Sequence, residues 1–124
     1  MQRKIYDTEE FYIRTKMLNL DKYIRKYLVN SIPSVNRDIK IHLVDELYEM
    51  IKNLHYAIAN SKNIRIKNIT DTLINISMID YLLGYINEIE NVNKNQVQKA
   101  TTQLLDLRNM IKLWKNKETD LLKK

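Results

Sequence analysis

Apolar side chains recur along this chain every three or four positions, with polar residues filling the intervals. That period marks amphipathic helix rather than strand. From about residue 7 to 31 the stripe is Ile13, Met17, Leu20, Ile24 and Leu28, opened by Asp7 and Glu10 in the spacing of a capping box. Ile32-Pro33-Ser34 ends it, because the residue before a proline is pushed out of the α region. A second helix is predicted over about 35–60, with Ile41, Val44, Leu47, Ile51, Leu54 and Ile58 inward. A third, over about 64–90, turns Ile66, Ile69, Leu73, Ile76, Ile79, Leu83 and Ile86 inward. Its β-branched residues favour strand, but their spacing does not. The last helix, about 95–117, carries Val97, Ala100, Leu104, Leu107, Ile111 and Trp114 in alternating steps of three and four, the pattern of a bundle seam. Fraying is expected after Lys117.

The connections are about three to six residues long, short enough to force antiparallel neighbours. The expected fold is therefore all-α: one domain over residues 1–124, an antiparallel up-down-up-down four-helix bundle with its first and last helices side by side. A single glycine and a single proline agree with this, since sheet turns and phosphate-cradling loops lean on glycine. Gly84, inside the third helix, costs about 1 kcal/mol against alanine and so points to close packing at that position.

Composition removes several kinds of chemistry. There is no cysteine, which excludes disulfides and thiolate metal sites, and His42 and His55 are too few for a metal cluster without carboxylate help. No cofactor is expected. The first ten residues hold no leader-like apolar run, and no stretch of about 18 uncharged apolar residues occurs, so the expected compartment is the cytoplasm.

Charge adds a direction. The net +6 is concentrated at the two ends: residues 1–31 hold seven basic and four acidic side chains and residues 94–124 hold eight and three, while 32–61 and 62–93 each hold three and four. With the first and last helices adjacent, Arg14, Lys22, Arg25 and Lys26 are expected to share one side of the bundle with Arg108, Lys112, Lys115 and Lys117. Arg108, Lys112 and Lys115 stand at i, i+4 and i+7, one exposed helical stripe. Such a face attracts phosphate backbones or an acidic protein surface; alternatively, it is a solvated face that keeps the chain soluble.

Other features are weaker. Arg37 and His42 fit the arginine, four residues, histidine spacing of HEPN-type ribonucleases, with the histidine as acid or base and the arginine stabilising a phosphorane-like charge. No second polar constellation accompanies them. His55 with Glu49 or Asp45 reads as a partly exposed helix histidine before it reads as a ligand pair. Asp80, between Ile76 and Leu83, needs a partner if buried. Tyr23, Tyr27, Tyr48, Tyr56, Tyr81 and Tyr85 flank the apolar stripes, where they can edge a core or an oligomer interface, or stack on bases. Leu43, Met50, Leu82, Leu105, Met110 and Leu113 widen the stripes further and leave apolar surface for a partner subunit.

The segment Leu105-Asp106-Leu107-Arg108-Asn109-Met110-Ile111-Lys112-Leu113-Trp114-Lys115 resembles the end of a small four-helix-bundle family. That family includes the accessory variability determinant (Avd) of diversity-generating retroelements and the intervening-sequence proteins of bacterial large-subunit ribosomal RNA genes. Its members often close with an arginine, Met-Leu, two glycines and tryptophan. Met110, Ile111 and Trp114 match this, whereas Asn109 replaces the arginine and Lys112-Leu113 the glycines. Pro33 at the first junction, the run Leu43, Asp45, Leu47-Tyr48-Glu49 and Ile51, and the short Asn93-Lys94 turn also agree. The resemblance implies a barrel-shaped homopentamer with a positive surface that binds nucleic acid and a partner reverse transcriptase, helping the polymerase use its template.

The leading expectation is thus a non-enzymatic, oligomeric accessory protein that binds RNA and/or DNA, assisting a reverse transcriptase. Two other readings stand beside it: a protein-interaction bundle with an acidic protein partner, and the HEPN-type ribonuclease.

Overall fold

The computed structural model describes residues 8–123. They form four α-helices: α1 (Thr8–Tyr27), α2 (Arg37–Ala59), α3 (Lys62–Asn87) and α4 (Lys94–Leu122), with no strand among the described residues. At 1.5 Å per residue these are about 30 to 44 Å long. Helix α1 packs on α2 and α4, and α3 packs on α2 and α4, so the four close into a ring around one core. The α2–α3 pairing is the most extensive and α1–α2 the slightest. Among the described residues no helix is long and apolar enough to cross a membrane.

The boundaries differ from the predicted ones for local reasons. The cap predicted at Asp7 lies outside the described residues. Helix α1 stops at Tyr27, not Ser31, and a 3-10 turn over Val29–Ser31 follows. There the Ser31 backbone N–H and hydroxyl both donate to the Leu28 carbonyl, ending the α ladder early. Ile32 is then extended, as a residue before proline must be. Helix α3 gives way to a turn after Asn87, in which Asn91 adopts the left-handed conformation that asparagine tolerates. Helix α4 begins at an Asn93 cap whose side chain accepts from the N–H groups of Asn95 and Gln96. It runs to Leu122, past the end predicted at Lys117, and Lys117 and Glu118 contact Glu9 and Arg65 there.

The core confirms two helical stripes in full. Ile13, Met17, Leu20, Ile24 and Leu28 of α1, and Val97, Ala100, Leu104, Leu107, Ile111 and Trp114 of α4, are all buried. Helix α2 is rotated from expectation: it buries Ile39, Leu43, Leu47, Met50, Leu54 and Ala57, while Ile41 is exposed and Val44, Ile51 and Ile58 are half-buried. The cause is the unequal packing of α2, which turns its apolar surface towards α3 and leaves the predicted stripe along the looser α1 edge. Helix α3 buries Ile69, Ile76, Ile79, Leu83 and Ile86 as expected, with Thr72, Asn75 and Leu82 added; Ile66 and Leu73 are half-buried. Asn75 is tolerated because its side-chain oxygen accepts from Asn53 of α2 at 2.7 Å. The close packing expected at Gly84 is absent within the chain: a Cβ added there meets nothing within 4 Å.

One end of the bundle is clasped by a single side chain. Two residues, Asn60 and Ser61, connect α2 to α3, and Lys62 takes a φ of 56° to make the corner. One turn on, Arg65 folds back over the end of α2, its Nε donating to the carbonyls of Ala57 (2.9 Å) and Asn60 (2.8 Å) and its Nη2 to that of Ile58 (3.2 Å). These are carbonyls a helix C-terminus leaves unsatisfied. The other edge of the guanidinium pairs with Glu118 of α4 at 2.7 Å and Glu10 of α1 at 3.1 Å, and its plane lies 5.7 Å from the Trp114 ring. All four helices therefore meet at one cation.

Candidate nucleic-acid interface

Helix geometry and three side-chain contacts place the basic residues of α4 and two of those of α1. Lys117 pairs with Glu9 and so marks the side of α4 that faces α1. Arg108, Lys112 and Lys115 stand nine, five and two residues away, which at 100° per residue puts them about 140–180° around the helix from it. They run along the edge of α4 remote from α1. On α1, the Arg14 Nε donates to His55 Nε2 at 3.1 Å, and Arg25 lies 5.4 Å over the Tyr48 ring; both partners are on α2. Arg14 and Arg25 of α1 thus lie at the α2 edge, Lys22 and Lys26 stand about 60° and 100° around the helix from Arg25, and Arg108, Lys112 and Lys115 of α4 lie on the opposite flank. The single shared face expected from sequence is instead two separate patches, because α1 and α4 meet through Glu9 and Lys117 rather than through their basic stripes.

The two patches differ in character. On α4, Lys112 is exposed, Arg108 and Lys115 are half-exposed, and none of the three makes an ion pair among the described residues. The Nε of Arg108 is buried with no acceptor among them, a donor left open by the protein itself. Over the seven residues from Arg108 to Lys115 the helix rises about 10 Å, a length over which one strand of duplex presents about three phosphates. On α1, Lys22 is exposed and makes no ion pair among the described residues, Arg25 pairs with Asp21 at 2.9 Å, and Lys26 lies 5.2 Å over the Tyr27 ring. Here cations alternate with aromatic rings, of which Tyr48 is largely exposed. Tyr23 packs 4.8 Å from Tyr27, and its phenol is pushed up from the ordinary value, first by desolvation and then by that neighbour.

The residues singled out for other chemistry do not converge. Arg37 and His42 are both exposed and stand about 140° apart around α2. Arg37 lines a shallow cleft of about 320 Å³ with Lys40, Ile41, Val44 and Asp45, and His42 does not. His55 is engaged with Arg14, and no group of three metal-ligating side chains occurs among the described residues. Asp80 is half-buried and forms no ion pair among them. Of the described tyrosines, only Tyr23 packs against the core; Tyr27, Tyr48, Tyr56, Tyr81 and Tyr85 are exposed.

Comparison with family models, with curated proteins and with solved structures finds no match to this chain.

Proposed function

We propose that this chain is a non-enzymatic, oligomeric, nucleic-acid-binding accessory protein of the cytoplasm, and that the α4 stripe of Arg108, Lys112 and Lys115 is its principal phosphate contact. The observation that carries the reading is that these three cations lie in one line, at helical spacing, without an acidic partner among the described residues. A surface cation left unpaired in a chain of net charge +6 is available to a polyanion, and three in line match a backbone rather than a point charge. The α1 patch of Lys22, Arg25 and Lys26, with Tyr27 and Tyr48 among its cations, is a second contact suited to unstacked bases. The protein that such a bundle assists is, on the resemblance, a reverse transcriptase.

The bundle that carries these patches is, on this reading, antiparallel and up-down-up-down. Glu9 with Lys117, Arg14 with His55, and Arg65 with Glu118 each join the first turns of one helix to the last turns of its neighbour.

Fluorescence anisotropy with labelled RNA and DNA oligonucleotides tests the proposal. Each phosphate contact is assigned about 1 kcal/mol, so reversing Arg108, Lys112 and Lys115 to glutamate should weaken binding to every sequence by at least about a hundredfold. Unchanged binding by this variant would remove the α4 stripe, and binding by neither wild type nor variant would remove the function, leaving the acidic-protein partner as the occupant of the basic surface.

A further inference from the structure

Helix α3 carries a second apolar line on the side opposite its core. Ile74, Met78, Tyr81 and Tyr85 follow one another in steps of four, three and four, and are 57%, 42%, 61% and 44% exposed. The same steps extend the line to Asp71 and Lys67 in one direction and to Glu88 in the other. Steps of three and four kept up over six intervals are those of a helix seam that meets another helix. Scattered exposed apolar residues need no explanation, but a continuous line of them on a helix that already has a buried face does.

Gly84 borders this line, three residues after Tyr81 and four before Glu88, so both are its surface neighbours. Its φ is not positive, and nothing within 4 Å would collide with a Cβ. Neither backbone conformation nor packing inside the chain explains a residue that costs a helix about 1 kcal/mol. A bare stretch of helix beside an apolar seam is where another backbone can come close.

The charges along the seam say which helix fits. Lys67, which also pairs with Asp71 one turn on at 3.0 Å, stands at one end and Glu88 at the other, and residues 68–93 contain no lysine or arginine. Two copies of α3 laid antiparallel bring each Lys67 towards the partner's Tyr85–Glu88 end, with Ile74, Met78 and Tyr81 from both copies in the centre. A parallel pairing puts like charges together at both ends. Resting on the oligomeric part of the proposed function, we propose that a second copy of this chain docks on the outer face of α3, antiparallel about Met78. A two-fold contact of this kind closes at two copies, whereas a ring of five is built on a head-to-tail contact.

The full chain, freed of nucleic acid, is measured by light scattering behind a sizing column over a dilution series. Wild type should run as a dimer, and Met78→Glu, which sets two glutamates against each other at the centre, should raise the dissociation constant by at least about a hundredfold. Met78 is exposed, so the variant keeps its helicity, which circular dichroism checks. Lys67→Glu and Glu88→Lys alone should each weaken the dimer about tenfold, and the double exchange should restore it. Residues 67 and 88 are about 31 Å apart along one helix, so restoration cannot arise inside a single chain. A monomer at every concentration overturns both this inference and the oligomeric reading. An oligomer indifferent to Met78→Glu, or a double exchange that restores nothing, overturns the α3 contact while leaving oligomerisation and nucleic-acid binding in place.

Discussion

Replacing Arg65 by methionine should destabilise the bundle more than any other exchange of a charged residue. The substitution keeps most of the apolar stem against Trp114 but removes the guanidinium. Glu118, with a side chain only 14% exposed, is then left without its cation, Glu10 loses one of its contacts, and three carbonyls at the end of α2 lose their donor. Leaving one partner of a buried pair uncompensated costs about 3–5 kcal/mol, and the partial exposure of Arg65 favours the lower figure, about 3 kcal/mol. With an unfolding entropy near 2.1 cal/mol/K per residue, 124 residues give about 0.26 kcal/mol/K, so the melting temperature should fall by about 12 °C. Thermal unfolding followed by circular dichroism reads this directly. Arg65→Lys should recover little, since an ammonium cannot span two carboxylates and three carbonyls with a planar fork. Adding Glu10→Gln and Glu118→Gln to Arg65→Met should recover part of the loss by removing the carboxylate charges that faced the guanidinium. A shift below about 3 °C for Arg65→Met would show that the four-helix clasp is ornamental, and no recovery in the triple variant would refute the electrostatic account of it.

Three further outcomes follow from local geometry. Asn93→Ala removes the side-chain acceptor at the start of α4 and should cost about 1 kcal/mol, a drop of about 4 °C, whereas Asn93→Asp should be close to neutral. Gly84→Ala, made in the Met78→Glu background to separate folding from association, should raise the melting temperature by about 2–4 °C; a fall would mean the site is crowded after all. The Tyr23 phenol is raised above 10, so as the pH climbs past 10 the unfolded chain gives up this proton before the folded one, and stability falls with pH. Tyr23→Phe should flatten that alkaline decline in a urea titration series, and an equally steep decline would locate it elsewhere.

How far sequence could reach is clearest from α2 and α4. In α4 one apolar line runs unbroken in steps of three and four, with Leu105, Met110 and Leu113 off it, so period alone identifies all six core positions. In α2 two lines overlap and share Leu47 and Leu54, and the choice between them depends on which neighbour packs more tightly, a tertiary quantity no local pattern contains. The basic residues are legible as residues but not as an arrangement. Their division into two patches is fixed by the Lys117–Glu9 and Arg14–His55 contacts, which say how each helix is rotated. Arg65 escapes a reading of the sequence altogether. It lies in a segment of net charge −1, and its only signal is its place one turn after a two-residue corner, visible once the helix ends are known. The seam on α3 is half-visible: the tyrosines and surplus apolar positions stand out, but the line from Ile74 to Tyr85 emerges only when the core face of α3 is assigned.

The most direct test of the central claim is the salt dependence of nucleic-acid affinity for wild type and for Lys112→Ala. Three phosphate contacts on α4 give duplex binding a log–log slope of about −2.7 per protomer, and removing one should reduce its magnitude by about 0.9. A slope near zero, or one unaltered by the substitution, would contradict the assignment of this bundle as a protein that grips a phosphate backbone along α4.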